Sequence, residues 1–141
     1  YAPVEGGEVS GLIPAGWARR PAQLEGVEGG LTAVSAQDKD ASVTLGVLSG
    51  GDGSLAERAR ALRDERKSLP GYRESSFRQL TLAGERPAWK LLYKRDERST
   101  VEYLTAECDR VLVISGTAPD AIFGTLENRF GVMARSFQAV C

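Results

Sequence analysis

The fold is decided by the run Val111-Leu112-Val113-Ile114-Ser115, in which four consecutive side chains are apolar. A strand with one face in water alternates apolar and polar residues, whereas this run has hydrophobic side chains to bury on both faces of a sheet. It therefore predicts a central strand that is covered on both sides.

The residues before this run predict its antiparallel partner. Val101–Ala106 is rich in β-branched and aromatic side chains, and Glu107–Arg110 is a connection of four residues, a length expected for a hairpin.

The residues after the run predict a helix. Thr117 is placed as the N-cap, Pro119 lies near the first turn and Asp120 supplies a carboxylate there. Apolar side chains then recur at steps of three and four, as in a helix that packs on a sheet. They are Ile122, Phe123, Leu126, Phe130 and Met133. An aromatic-lined cofactor box is the functional alternative, but such stripes are usually core.

Two glycines interrupt this helix. Gly124 and Gly131 each weaken it by about 1 kcal/mol relative to Ala. Either another part of the chain approaches the helix backbone closely there, or the helix ends near Gly131, and the sequence leaves both possibilities open.

Length and composition limit the class of protein. The 141 residues suit one domain, and 42% hydrophobic and 26% charged residues are typical of a soluble globule. A net charge of -1 does not predict binding to nucleic acid or to an anionic membrane. There is no apolar run near eighteen residues, so no transmembrane segment is predicted. We expect a monomer.

The ionisable residues do not predict catalysis, a metal or a cofactor. His is absent from the chain, which removes the commonest general base and metal ligand near neutral pH. Two Cys without a CxxC motif do not make a zinc site. Asp38 and Asp40 form a turn more readily than a calcium loop, because the Gly and distal Glu of such a loop are missing.

The earlier part of the chain supplies the other elements. Residues 1–10 are predicted to be a flexible lead-in, and residues 11–141 a single domain. The runs 31–36 and 42–49 predict a hairpin. Ser54 and Glu57 form a capping box that opens a helix to about Ser68, with a charged face interpreted as solvated. Residues 77–82 and 87–94 predict two further strands.

Several features in order resemble one known family. They are Pro14-Ala15-Gly16-Trp17, a hairpin, a Ser-capped helix that ends before Pro70-Gly71, the run Gly84–Tyr93, a second hairpin, and a last helix that closes on Ser136-Phe137. Over residues 11–137 this order is similar to the PsbP/Mog1-like domain. The resemblance implies an α+β fold, an α/β/α sandwich with a central antiparallel sheet of about six strands and helices on its faces.

The resemblance also implies a function in binding. Members of the family include a photosystem II extrinsic subunit, a Ran-GTPase regulator, and bacterial exported proteins and lipoproteins. We therefore expect a non-enzymatic extracytoplasmic binding or scaffold domain with a protein or cell-envelope partner. The chain begins at Tyr1 rather than Met, so we expect an upstream leader or membrane anchor. A cytoplasmic location is the alternative.

Two other functions stay open. The first is a small-molecule or lipid carrier with a pocket between sheet and helix and with Trp17 or Trp89 in its wall. The second is a hydrolase, which without His needs a Ser-Lys or carboxylate pair that no motif selects.

The two cysteines predict a disulfide between Cys108 and Cys141. The strand of residues 111–116 rises about 20 Å and the following helix descends about 25 Å, so the chain returns to the hairpin turn that holds Cys108. In an exported protein the pair is expected to be bridged, and in an intracellular protein two separate thiols are expected instead.

Overall fold

The structure, a computed structural model, describes residues 1–6, 9–22, 24–38, 40–50 and 53–139. Within that part of the chain there are ten strands and two helices. They are β1 (Ala2–Gly6), β2 (Val9–Ile13), β3 (Ala18–Pro21), β4 (Val27–Val34), β5 (Ser42–Leu48), α1 (Leu55–Lys67), β6 (Arg73–Leu82), β7 (Arg86–Arg95), β8 (Arg98–Glu107), β9 (Arg110–Pro119), α2 (Asp120–Ser136) and β10 (Gln138–Ala139).

Seven strands form the main sheet, in the order β3-β4-β5-β9-β8-β7-β6, and every neighbouring pair is antiparallel. A small second sheet has the order β1-β2-β10. The predicted α+β class is confirmed, but the sheet has more strands than the six expected.

Strand β9 lies in the middle of the main sheet and is buried on both faces. Leu112 and Ile114 belong to one hydrophobic core, while Val111 and Val113 belong to a second core on the other face. The predicted two-sided central strand is therefore confirmed.

Each face of the sheet is covered by its own layer. Helix α2 and the small sheet cover one face, around Phe130, Met133 and Ile114, each at most 1% exposed. Helix α1 covers the other face with Ala59 and Leu62. It begins as predicted, because Ser54 accepts from the Glu57 amide and the Glu57 carboxylate accepts from the Ser54 amide.

Helix α2 begins later than predicted. Thr117 is not its N-cap, because it still pairs with Thr100 and Ser42 on the neighbouring strands. The helix begins at Asp120, whose amide donates to the Glu97 carbonyl at 2.8 Å and whose carboxylate accepts from the Ser99 hydroxyl. Pairing of β9 on both sides therefore outweighs the capping preference of threonine.

The helix does not end near Gly131 but continues to Ser136. A methyl group added at Gly124 would have nothing within 4 Å, and one at Gly131 would meet side-chain atoms only at the ordinary contact distances of 3.6 and 3.7 Å, so neither glycine is required by a close approach of backbone. The close approach occurs at Gly116 of β9 instead, where an added methyl would lie 2.5 Å from the ring of Phe130. The bare backbone there lets the helix pack closely on the central strand.

The first residues of the chain differ from the flexible lead-in that was expected at 1–10. Residues 2–6 pair with β2, which in turn pairs with β10, and Val4 and Val9 are 6% and 1% exposed. Because the segment is rich in Pro, Gly and acidic residues, the sequence did not indicate that these two valines are buried.

We expect Gly116→Ala to destabilise the protein by about 1–3 kcal/mol, because Phe130 would have to move away from β9. Gly124→Ala is the matched control, because Gly124 lies on α2, the helix that packs on β9, and has nothing within 4 Å of an added methyl group. It should stabilise the helix by about 0.5–1 kcal/mol. Urea unfolding measures both. Equal effects of the two substitutions would contradict the close approach at Gly116.

Candidate binding groove

An open groove of about 660 Å³ lies on the face of the molecule that carries α2. Three segments form its walls: the turn at residues 14–17, the loop between β4 and β5, and the first half of α2. We call it the Trp17 groove. The residues that line it are Tyr1, Pro14, Ala15, Trp17, Ser35, Ala36, Gln37, Asp38, Ile122, Thr125, Leu126 and Arg129.

The first wall is a tight turn whose shape depends on glycine. The Trp17 amide donates to the Pro14 carbonyl at 3.4 Å, and Gly16 has φ of 85° at the third position of the turn. This conformation is one that side chains larger than hydrogen rarely adopt. Trp17 is half-buried and packs against the first core. It also lines the groove.

The second wall is a loop stiffened by its own side chains. The Ser35 hydroxyl accepts from the amides of Gln37 and Asp38 at 3.2 and 3.1 Å, and the Asp38 carboxylate accepts from the Asp40 amide at 2.9 Å. Asp38 therefore closes a turn, as its type commonly does. Among the described residues, no group of three or more potential ligands could hold a metal ion.

The floor comes from one flank of α2. Ile122 and Leu126 lie at the edge of the apolar stripe of α2 and contribute the apolar surface, and Arg129 follows one turn later. Arg129 on the helix and Asp38 on the loop place opposite charges among these apolar side chains. The groove can therefore hold an extended or helical segment that has an apolar strip and charges of both signs.

The structure does not bring the two predicted pocket residues together. Trp89 packs in the second core beneath α1, where it stacks on Phe77 at 5.0 Å and where the Arg60 guanidinium lies 5.7 Å from its ring. Trp17 belongs to the first core. The main sheet separates the two, so a shared pocket wall is excluded.

A buried ion pair that was not predicted from the sequence joins α1 and β8. Arg66 donates to Glu102 through Nε at 2.8 Å and through Nη2 at 3.0 Å, and the two side chains are 6% and 0% exposed. The solvated-face interpretation was therefore wrong for Arg66. The signal was present, because Arg66 follows Ala59 and Leu62 at the spacing of one buried helix face.

The ionisable groups with shifted pKa values surround α1. Burial opposes the charge on Arg66, but the hydrogen bonds to Glu102 and the negative charge of Glu102 together outweigh that effect and raise the pKa of Arg66 above its ordinary value. Burial raises the pKa of Tyr93, and the charge of Glu102 raises it further. Burial and a hydrogen bond to Glu74 raise the pKa of Tyr72 to about 12, and Arg63 holds the pKa of Glu74 below its usual range.

The predicted disulfide can be followed only in part. Cys108 lies in the turn between β8 and β9 with φ of 54°, and Cys141 lies outside the described residues. The chain does return to this turn, because the Ala139 amide donates to Glu107 Oε1 at 3.1 Å. Arg86 also donates to the Phe137 carbonyl at 2.6 Å. The bridge itself stays a prediction.

Solved structures with this architecture identify the fold. PsbP of the cyanobacterium Synechocystis (CyanoP) matches with a TM-score of 0.68 and 13% identity, over 94% of this chain and 86% of that one. LpqN of Mycobacterium tuberculosis, described as involved in cell envelope biogenesis, matches with a TM-score of 0.64 and 21% identity, over 98% and 89%. A Pseudomonas aeruginosa protein of unknown function matches with a TM-score of 0.57 and 19% identity, over 89% and 88%.

The chain therefore has the PsbP/Mog1-like fold, as the order of its sequence features indicated. No family model matches the sequence, and no curated protein matches it. Within the described residues, neither helix is long and apolar enough to cross a bilayer.

We expect Glu102→Gln to cost about 3–5 kcal/mol, because it leaves the Arg66 charge buried without a carboxylate. The control is Glu74→Gln, which removes the same charge from the more exposed Arg63–Glu74 pair and should cost clearly less. Urea unfolding of both variants gives the comparison.

The double variant Arg66→Met/Glu102→Leu should recover much of the stability lost in Glu102→Gln, since neither charge then stays buried alone. Equal losses for Glu74→Gln and Glu102→Gln would contradict the structural importance of the buried pair.

Proposed function

We propose that this chain is a non-enzymatic binding domain that acts outside the cytoplasm and holds a protein or cell-envelope partner in the Trp17 groove. The observation that carries the proposal is the groove itself. Its walls are a hydrogen-bonded turn, a loop segment with hydrogen bonds from its own side chains, and a helix. It combines an apolar floor with the charges of Asp38 and Arg129. Preformed surfaces of this kind lose little conformational entropy on binding.

The electrostatics support binding rather than catalysis. Active sites are usually where pKa values are shifted, but here the shifted groups lie in ion pairs and hydrogen bonds around α1, on the other side of the sheet from the groove. The pKa of Tyr93 is raised by its burial, and those of Arg66 and Glu74 are shifted by their ion-pair partners, so the shifts follow from packing and pairing. A hydrolase would need an activated nucleophile, which these paired groups do not provide.

One of the neighbours supports the location. LpqN is described as involved in cell envelope biogenesis, and a domain of the same fold fits a role at the envelope.

A small-molecule or lipid carrier is the second candidate, and the volume of the groove favours it. A space of about 660 Å³ lies within the range of ligand sites, about 300–1,000 Å³. Ile114, Phe130 and Met133 fill the middle of the layer between the sheet and α2, so this space of about 660 Å³ does not lie there. A ligand would instead lie in the open groove beside Trp17.

The two tryptophans allow a direct test of the groove. Trp89→Phe leaves Trp17 as the only tryptophan, and Trp17→Phe leaves Trp89 as a control on the opposite face. We expect the protein fraction of a cell-envelope extract to shift the fluorescence of Trp17 but not of Trp89, and protease treatment of the extract to abolish the shift. Arg129→Glu should weaken this binding about tenfold, or about 1.4 kcal/mol.

The other outcomes decide between the candidates. A shift of Trp17 caused by the lipid fraction and resistant to protease would support the carrier instead. Equal responses of Trp17 and Trp89, or no response to either fraction, would contradict binding in the groove.

We also propose the Cys108–Cys141 disulfide, a bond of the kind that forms in proteins outside the cytoplasm. It would close a loop of about 33 residues, and the chain-entropy model gives it about 3.7 kcal/mol of stability. We expect thiol titration of the unreduced, unfolded protein to find no thiols and titration after reduction to find two. Cys108→Ser/Cys141→Ser should lower the urea midpoint to that of the reduced protein. Two thiols without reduction would contradict the bridge.

A further inference from the structure

A second groove, distinct from the Trp17 groove, gathers positive charge between the main sheet and the second half of α2. Its volume is about 360 Å³. Its lining includes the charged residues Arg78, Lys90, Glu127 and Arg135, together with Tyr103 and Gly131. We call it the Gly131 groove.

The register of the sheet creates the floor of this groove. Arg78 of β6 lies directly opposite Lys90 of β7, and Lys90 lies directly opposite Tyr103 of β8. The three side chains therefore form one row across three strands, on the face that α2 covers. Two like charges directly opposite each other repel, so this row favours a negative partner.

The helix completes the groove with one acid and one further cation. Glu127 Oε2 lies 3.4 Å from Lys90 Nζ, and Arg135 lies two turns further along α2. Arg78, Lys90 and Arg135 thus face a single carboxylate among the residues that line the groove. The Lys90 ammonium lies 5.6 Å from the centre of the Tyr103 ring. It has three hydrogen-bond donors, so donors remain for a ligand beside the long contact with Glu127.

Gly131 lies beside two potential donors of the groove, Arg135 and Tyr103. A methyl group placed on this residue would lie 3.6 Å from Arg135 Nη1 and 3.7 Å from the Tyr103 hydroxyl. A guanidinium and a phenol therefore approach one space that the glycine leaves unfilled. Charge-assisted hydrogen bonds to an oxyanion are about 2.7–2.9 Å long. Small movements of the Arg135 and Tyr103 side chains would bring their donors to that distance from an oxyanion in this space.

We propose that the Gly131 groove binds an oxyanion of the phosphate class, with Lys90, Arg135 and Tyr103 as the donors. The phosphate can be that of a lipid headgroup or of a soluble phosphoester. The proposal does not depend on the function proposed for the Trp17 groove.

Titration of the folded protein with inorganic phosphate, followed by amide chemical shifts, tests the site. We expect saturable changes centred on Gly131, Tyr103 and Lys90. Gly131→Ala should weaken binding at least about tenfold, because its methyl group fills the space between the donors. It should not unfold the protein, since no contact shorter than 3.6 Å results and Ala is the better helix former.

Matched variants separate the site from general charge and helix stability. Gly124→Ala changes the same helix in the same way where nothing lies within 4 Å, and Arg129→Gln removes a cation of α2 that lines the other groove. Neither should change phosphate binding. Lys90→Gln should weaken it, and Glu127→Gln should strengthen it several-fold, because the competing carboxylate is removed.

Vesicles distinguish the sources of the phosphate. Co-sedimentation with phosphatidylglycerol vesicles but not with phosphatidylcholine vesicles, lost in Gly131→Ala, would support a lipid headgroup. Saturable binding of inorganic phosphate without vesicle binding would support a soluble ligand. The proposal is wrong if neither probe binds, or if Gly131→Ala and Gly124→Ala bind either probe equally well.

Discussion

The requirement that β9 be buried on both faces determines the architecture. Its apolar side chains alternate between two cores, so the sheet must be covered by a layer on each side. Helix α2 follows β9 directly and packs back over it, with Phe130 against the bare backbone of Gly116. The other face is left to α1, which comes from the earlier half of the chain.

The two faces have divided into different roles. On the face beneath α1, ionisable side chains are paired with one another, as in Arg66 with Glu102 and Arg63 with Glu74, and the aromatic rings of Phe77 and Trp89 stack under cations. On the face of α2, charged side chains surround two open grooves. The face of α2 has ion pairs too, Lys90 with Glu127 and Arg86 with Glu107, and it differs in that some of its charged side chains line open grooves.

The sequence predicted what local periodicity determines. The central strand and the capping box of α1 follow from nearest neighbours along the chain, and both are found. The start of α2 and the strand formed by residues 2–6 were missed, because each depends on pairing with other strands. Among the site residues, Trp17 lines a groove, whereas Trp89 lies in a different core. The groove itself required the fold, since its walls are far apart in sequence.

The burial of Glu102 has a consequence for how the protein opens. Glu102 lies in the middle of β8, 0% exposed, and Arg66 is the charge that neutralises it. Lifting α1 from the sheet would separate Arg66 from Glu102 and would expose the apolar side chains of Ala59 and Leu62 in the same step. The ion pair and the apolar contacts therefore both oppose local fluctuations that would detach α1 alone.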